Sequence, residues 1–328
     1  MTGTLSVTKV CRNAIRVLAV GLVVFSFGAQ LFAWSGSGHG ATAAMAYRGL
    51  ASDQVRKNNL TNLLRSHPSF AEWKTAFDTK KPPFPADLDF GMFLFIRAAT
   101  WPDDVRGATD STLKTFDHPN WHFVDYPLRP PAFTTGPSPT PNDDVIFGLK
   151  RSFETLANKN APLVQRAASL SWLIHLVGDV HQPLHAATLM TDTFKAPRGD
   201  VGGNDFLVFE DSAQQQQHRT TKLHSFWDGR LGSEREPDPV RALANAKALE
   251  AAHSRASLTE LGAGDNSVRW SFESRDAAIA NAYQFKSTML KLQAVLPQGY
   301  AANAQQVGRR RLALAGYRLA DAMKKVAF

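Results

Sequence analysis

Apolar residues recur at steps of three and four over most of this chain, and no other sequence feature constrains its fold as strongly. Four stretches show the spacing most clearly, at residues 163–180, 238–256, 275–296 and 309–326. This spacing places apolar side chains on one face of a helix. The second stretch also opens on Asp238 and Pro239, a pair typical of an N-cap and the first helical position. We therefore predict an all-α fold.

Strand and loop signals are few. The apolar residues 206–209, which follow two glycines, predict one small β-hairpin. Five prolines between Arg129 and Asp144 exclude a helix there and predict a long surface loop. The polar run at residues 211–222, with four consecutive glutamines, predicts a second exposed loop. Because no repeat or shift in composition divides residues 34–328, we predict that they form a single domain.

The amino-terminal 33 residues have the features of a secretory signal peptide. Basic residues precede an apolar run at residues 17–27, and no acidic residue occurs before residue 34. Cleavage after Ala33 would give a secreted or periplasmic protein that begins at Trp34. The alternative is an uncleaved anchor, because residues 17–33 are at the short limit for spanning a bilayer. Gln30 and the absence of a basic flank after the run favour cleavage.

The chain of 328 residues contains one cysteine, Cys11, which lies in this leader. A disulfide framework and zinc sites built on thiolates are therefore excluded. A metal site would need histidine and carboxylate ligands. The formal net charge of +8 is compatible with an anionic substrate but does not identify one.

Two histidine–aspartate pairs have the spacing of one helical turn. His175 and Asp179 form the first, and His224 and Asp228 form the second. Side chains at positions i and i+4 lie on one helix face, so each pair can reach one ion. His185 follows the first pair after a proline and could serve a neighbouring position. Each histidine could equally be an ordinary hydrogen-bonded residue, so these pairs alone only suggest a metal site.

Three further residues, His39, Asp103 and His122, add to these pairs and support a metal site. The segments GDVHQPLH, DVGGND and AGYRLA also stand out. Nine residues form an ordered array along the chain: Trp34, His39, Asp103, His122, His175, Asp179, His185, His224 and Asp228. With these segments, the array resembles the trinuclear-zinc, single-strand-specific nucleases of moulds and plants (the S-one/P-one type), which have bacterial relatives, and all nine positions match the family's metal ligands. These nucleases share an all-α fold with zinc-dependent phospholipase C.

The resemblance implies that these nine residues hold three Zn²⁺ ions, with Asp179 bridging two of them. The first ion would be held by Asp103, His122, His175 and Asp179. The second would be held by Asp179, His39 and the α-amine and carbonyl of Trp34. The third would be held by His185, His224 and Asp228. Imidazole and carboxylate groups are usual zinc ligands, at about 2.0–2.2 Å.

The resemblance also implies substrate-binding roles. Arg106 would clamp the phosphate, since a guanidinium can bind two phosphate oxygens; an ordinary surface ion pair is the alternative role. Phe123 would stack on a nucleobase, and Asp125 would accept hydrogen bonds from the base edge. Asn204 would orient groups near the site.

The function implied is hydrolysis of single-stranded DNA and RNA to 5′-phosphorylated products, with 3′-nucleotidase activity. The catalytic residues would be Asp103, Arg106 and Asp179. The expected partners are nucleic acids and nucleotides, with no stable protein partner, so we expect a monomer that is not bound to a membrane after cleavage. One alternative is a zinc-dependent phospholipase C with the same cluster. The other is a non-enzymatic secreted zinc-binding protein.

Overall fold

The computed structural model describes residues 34–80, 83–138, 140–263 and 266–326. The described residues are mainly helical, which confirms the all-α prediction. The helices are α1 (Gly36–Arg48), α2 (Gln54–Leu64), α3 (Phe70–Asp78), α4 (Phe90–Asp104), α5 (Ser111–Lys114), α6 (Val145–Ala157), α7 (Leu163–Asp179), α8 (Ser212–Gln216), α9 (Leu223–Asp228), α10 (Pro239–Ala252), α11 (Ser267–Ala277) and α12 (Tyr300–Lys325). The predicted leader at residues 1–33 lies outside the described residues.

Several helices begin where the sequence provides a capping side chain. Asp238 accepts a hydrogen bond from the backbone N–H of Arg241 at 2.8 Å, so the predicted N-cap of α10 is confirmed. Asp89 caps α4 in the same way through Met92. Such caps satisfy N–H groups that have no partner within the helix. None of the described helices is long and apolar enough to cross a membrane.

The strands are short and form three pairs. β1 (Pro127–Leu128) pairs in parallel with β2 (Thr188–Leu189). β3 (Leu207–Val208) pairs antiparallel with β4 (Thr221–Lys222), and β5 (Gln284–Phe285) pairs antiparallel with β6 (Thr288–Met289). The predicted strand at 206–209 is therefore present. Its partner lies within residues 211–222, so the prediction of a plain loop there is wrong at α8 and β4.

The predicted helix over residues 275–296 is also wrong for most of its length. α11 ends at Ala277, a π-helical turn covers Ala278–Tyr283, and the β5–β6 hairpin follows. The hairpin turns through Lys286 and Ser287, which have φ values of 50° and 61°. Two consecutive residues with positive φ match the twist of a tight hairpin, and asparagine and glycine are the usual residues at these two positions. Lys286 and Ser287 are not such residues, so the sequence does not predict the turn.

The core is built around two helices that are buried almost all round. Every residue of α1 from Gly36 to Tyr47 is buried, as is every residue of α7 from Leu170 to Asp179. α1 packs against α4, α10 and α12, and α7 packs against α4 and α6. A helix without an exposed polar face belongs to a protein interior. Consequently the polar residues His39 on α1 and Asp179 on α7 lie in the core.

Gly178 allows α1 to approach α7 at this point. A Cβ atom at Gly178 would lie 2.7 Å from Nδ1 of His39, closer than real contacts allow. The carbonyl of Gly178 also accepts a hydrogen bond from the indole Nε1 of Trp34 at 3.1 Å. The residue therefore positions both Trp34 and His39 against the end of α7.

We expect Gly178→Ala to destabilise the protein by about 1–3 kcal/mol, because the added methyl group overpacks the core against His39. Helix propensity alone would predict the opposite sign, since alanine is the better helix former. Gly262→Ala is the matched control, because a Cβ atom there meets no heavy atom of the described residues within 4 Å. Urea unfolding measures both free energies. A Gly178→Ala protein as stable as the wild type would contradict the close packing.

Candidate metal centre

The eight histidine and aspartate side chains predicted as ligands come together in three groups inside the core. The groups are His39, Asp103 and His175; His122, His175 and Asp179; and His185, His224 and Asp228. All eight residues are buried, and the ligand atoms within each group lie within 4.8 Å of one another. The third group has the membership predicted from the sequence. The first group places His39 beside Asp103 and His175, a combination that the predicted division did not contain.

Different elements supply these side chains. α1 supplies His39, the last turn of α4 supplies Asp103, and the end of α7 supplies His175 and Asp179. His122 ends a 3₁₀ turn at Pro119–His122, and His185 lies in a second 3₁₀ turn at Pro183–Ala186. Pro183 prevents the chain after α7 from continuing as the same helix, so His185 lies on a different path. The short helix α9 supplies the His224 and Asp228 pair.

Asp179 belongs to the second group and also contacts His39 of the first. Its Oδ2 lies 3.0 Å from Nε2 of His175 and 3.1 Å from Nδ1 of His122. Its Oδ1 lies 3.2 Å from Nε2 of His39. Asp103 is further away, with Oδ1 at 3.7 Å from Nδ1 of His122. The two oxygens of Asp179 thus face imidazoles of different groups, as a bridging carboxylate requires.

The tautomer of His175 follows from its backbone contact. Its Nδ1 lies 2.7 Å from the carbonyl oxygen of Ala99, so Nδ1 carries the proton and donates it. In the neutral ring Nε2 then has a lone pair directed at the carboxylate of Asp179. Burial lowers the pKa of His175, but the charges of Asp179 and Asp103 outweigh this and raise the pKa to about 9. The site therefore favours a positive charge at Nε2, whether a proton or a metal ion.

The same argument applies to the third group. Nδ1 of His185 lies 2.6 Å from the carbonyl of His122, and Nδ1 of His224 lies 2.6 Å from the carbonyl of Gly202. Both rings donate through Nδ1, so their neutral forms carry lone pairs on Nε2. These two Nε2 atoms are 3.0 Å apart. Two lone pairs at this distance repel each other unless a cation lies between or beside them.

Gly202 is required for this arrangement. It has a φ of 59°, and a Cβ atom on it would lie 2.6 Å from the carbonyl oxygen of Leu184. Glycine adopts positive φ without steric cost. The DVGGND loop therefore brings a carbonyl oxygen to His224, as histidine ligands commonly require from their surroundings.

Asp228 is held by Gln182, a residue that the sequence analysis did not single out. Nε2 of Gln182 donates to Oδ1 of Asp228 at 2.8 Å, which leaves Oδ2 at 3.6 Å from Nε2 of His224. Burial raises the pKa of Asp228 well above its ordinary value, and the Gln182 hydrogen bond opposes this rise. The sequence feature that could have identified Gln182 is its position in the GDVHQPLH segment, between the predicted ligands Asp179 and His185.

Several polar atoms of the cluster have no hydrogen-bond partner among the residues that the structure describes. They are Nδ1 and Nε2 of His39, Nε2 of His122, Oδ1 of Asp103 and Oδ1 of Asp179. Nε2 of His39 and Oδ1 of Asp179 lie 3.2 Å apart but are not aligned for a hydrogen bond. Buried polar groups without a partner are costly, and buried charges are normally paired or bind metals. Imidazole nitrogen and carboxylate oxygen are zinc ligands. These residues therefore fit a zinc cluster.

Of the predicted substrate-binding residues, Arg106 contacts a ligand of the cluster, and the other three lie near ligands or ligand-orienting loops in the chain. The guanidinium of Arg106 is 3.4 Å from Oδ1 of Asp103, and its side chain is 13% exposed. Phe123 follows His122 in extended backbone and is half-buried, as is Asp125. Burial and the charge of Asp200 raise the pKa of Asp125 to about 7. Asn204 is buried and donates to the carbonyl of Val201 at 2.9 Å, a contact within its own loop.

Trp34 is fully buried and links two parts of the cluster. Its indole binds the carbonyl of Gly178, the residue before Asp179. The next residue, Ser35, donates its backbone N–H to the carbonyl of Asp228 at 3.2 Å. That the α-amine of Trp34 is a metal ligand remains a prediction.

Comparison with known protein families assigns the chain. A family model described as S1/P1 Nuclease matches residues 34–327. No curated protein matches the sequence. The family match spans nearly all of the chain after the predicted leader, and it contains all nine predicted ligand positions. It implies a hydrolase that cleaves phosphodiester bonds of nucleic acids. The chain belongs to the S1/P1 nuclease family.

Proposed function

We propose that this protein is a zinc-dependent endonuclease that hydrolyses single-stranded DNA and RNA to 5′-phosphorylated products and has 3′-nucleotidase activity. The observation that carries the proposal is the position of Asp179, whose two oxygens face imidazoles of two adjacent groups. The group of His185, His224 and Asp228 supplies a further set of ligand atoms. Three Zn²⁺ ions would thus be held by the nine residues named from the sequence.

Bound zinc would supply Lewis-acid activation of water and stabilisation of charge on the phosphate oxygens. The protein's own residues would orient the substrate. Arg106 lies beside Asp103 at the partly exposed edge of the cluster, so its guanidinium can bind phosphate oxygens there. Asp103 keeps Arg106 near the cluster through their 3.4 Å contact.

The preference for single strands would come from Phe123 and Asp125. An aromatic ring can stack on any base, for about 1–3 kcal/mol per base. A base within a duplex must first be unstacked to reach such a ring. Since the pKa of Asp125 is raised to about 7, its carboxyl can accept or donate hydrogen bonds at a base edge near neutral pH. Asn204 would act indirectly, by holding the loop that positions His224.

A phospholipase C with the same cluster is the second candidate. Phe123 and Asp125 together favour a nucleotide, because the ring can stack on a base while the carboxyl hydrogen-bonds to the base edge. The trimethylammonium group of choline can also contact an aromatic ring, but it has no N–H to donate to the carboxyl. Assays with single-stranded DNA and with phosphatidylcholine separate the two functions. Hydrolysis of the lipid alone would contradict the nuclease proposal. A purely structural zinc protein would hydrolyse neither substrate.

We also propose that the leader at residues 1–33 is removed and that the protein acts as a secreted or periplasmic monomer. The supporting observations are the basic and apolar pattern of the leader and the burial of Trp34 beside the cluster. A free amine at Trp34 requires cleavage at Ala33.

The mature protein should contain close to three zinc ions and should lose hydrolysis of single-stranded DNA after chelation. Its melting temperature should also fall, because a ligand at a thousand times its Kd stabilises the folded state by about 4 kcal/mol. Elemental analysis, a nuclease assay and calorimetry measure the three effects. Re-addition of Zn²⁺ is the control. Undiminished cleavage without metal would rule out zinc dependence.

Asp179→Asn should impair zinc binding and cleavage more than His224→Ala. Asp179 faces imidazoles of two groups, whereas His224 belongs to one. Changes even to groups that only orient ligands cost about 10–100-fold in metal affinity, so we expect at least about 100-fold for Asp179→Asn. Zinc content and kcat/KM are the measurements. The reverse order would contradict the bridging role.

A protein that keeps one extra residue before Trp34 should lose one zinc ion and most of its activity. An internal amide cannot coordinate as an α-amine does. The matched control carries an equal addition after Phe328, at the other end of the chain. Zinc content after equilibrium dialysis reports the loss independently of activity. Three zinc ions in the extended protein would exclude the α-amine as a ligand.

A further inference from the structure

A cavity of about 360 Å³ lies on the side of α4 away from the metal centre. Arg97, Trp101 and Asp104 line it, and their spacing places them on one face of α4. Ala99, whose carbonyl binds His175, and Asp103 lie on the other face of the same helix. A helix about 10 Å in diameter therefore separates the cavity from the cluster.

Two residues that line the cavity, and a third beside it, each carry a buried N–H group with no hydrogen-bond partner among the described residues. Nε1 of Trp101 is one, on a residue that is only 2% exposed. Nε of Arg97, one helical turn earlier, is the second. Both residues line the cavity. Buried donors of this kind normally have an acceptor.

His67 supplies the third donor. Its ring stacks on Trp73 at 4.3 Å and meets the edge of Trp101 at 4.4 Å between ring centroids. Its Nδ1 accepts the backbone N–H of Ser69 at 3.1 Å. Because burial also lowers the pKa of His67 to about 3, the ring is neutral. The single ring proton therefore lies on Nε2, which has no partner among the described residues.

The guanidinium groups of the cavity face three carboxylates, two from exposed glutamates on the solvent side and one from Asp104 in the cavity wall. Arg97 pairs with Glu236 and lies 3.6 Å from Glu72, and these two glutamates are 74% and 71% exposed. The Arg97 side chain is only 11% exposed. Arg235, also in the cavity wall, lies 3.8 Å from Asp104. The exposed glutamates can turn into solvent, so the oxygens of a bound anion can take their place at Arg97.

We propose that this cavity is a second anion site that binds a phosphate group, through Arg97, Arg235 and the indole N–H of Trp101. The class of ligand is a phosphate monoester or inorganic phosphate, because guanidinium and N–H donors together match an oxyanion with several acceptor oxygens. The site goes beyond the proposed function and does not depend on it, since none of its residues belongs to the metal cluster.

The test is calorimetric titration of the zinc-loaded protein with inorganic phosphate, a nucleoside 5′-monophosphate and the corresponding nucleoside. The wild type should bind phosphate at two classes of site, one at the metal centre and one in the cavity. Arg97→Gln and Trp101→Phe should weaken the second class by about tenfold or more, since a charged or buried hydrogen bond is lost. Arg97→Lys should restore part of the affinity.

Arg48→Gln is the matched control, because Arg48 also pairs with a glutamate, Glu250 at 3.0 Å, but does not line the cavity. It should bind phosphate as the wild type does. Unfolding midpoints identify any variant that fails to fold, and Trp101→Phe keeps most of the ring volume. The glutamate positions offer a gain-of-function arm: Glu236→Gln should strengthen binding, because it removes the competing carboxylate from Arg97.

The outcomes separate the possible ligands. Equal affinity for phosphate and the monophosphate would support a site for the phosphate group alone, and tighter binding of the monophosphate would support a nucleotide site. Binding of the nucleoside at the same strength would overturn the proposal, as would wild-type affinity in both Arg97→Gln and Trp101→Phe. A nuclease assay on the same wild-type preparation tests the proposed function separately, so either idea can fail alone.

Discussion

The structure depends on one buried carboxylate, that of Asp179, whose negative charge needs positive charge nearby to be stable in the core. Asp179 ends α7 in the core, fully buried, with the rings of His39, His122 and His175 around it. Burial would raise the pKa of Asp179, but His175 and the hydrogen bonds of its neighbours lower it well below the usual value. The carboxylate is therefore charged, and it favours a positive charge on the imidazole nitrogens around it, whether a proton or a metal ion. A bound metal ion would neutralise this carboxylate and would connect α1, α7 and the turn before Phe123.

Local spacing was sufficient to predict some of this. The pairs His175–Asp179 and His224–Asp228 lie on α7 and α9, and helical geometry alone places each pair on one face. The N-cap at Asp238 was predictable for the same reason, since it depends on adjacent residues. The grouping of His39 with Asp103 joins positions that are far apart in the sequence. No local pattern contains that information, and the family resemblance placed the two residues in one cluster but assigned them to different ions.

Other features had no signal that could be interpreted. The hairpin at residues 284–289 turns through Lys286 and Ser287, whose side chains do not favour positive φ. The groups that orient the histidines include the backbone carbonyls of Ala99 and Gly202. Because every residue carries a backbone carbonyl, the sequence does not show which one will face a histidine. Gln182 had a side-chain signal, but its partner Asp228 is distant in the sequence. Tertiary contacts, rather than propensities, determine these features.

The carboxyl-terminal helix shows why the AGYRLA segment accompanies the ligands in the sequence. Arg318 lies in this segment on α12 and donates to Nε2 of His181 at 2.8 Å, while Nδ1 of His181 binds the carbonyl of Val177 at 2.7 Å. Arg311, also on α12, donates to the carbonyl of His181 at 3.1 Å.

Both of these arginines are nearly fully buried, a state that is costly without partners. Glu273 on α11 pairs with each of them, at 3.1 Å to Arg311 and 2.6 Å to Arg318. This ion-pair network fixes His181 from two sides. His181 lies between Asp179 and His185, which belong to different metal-ligand groups. The separation of those two groups is therefore set not only by Pro183 but also by charges buried on α11 and α12, far from any ligand in the sequence.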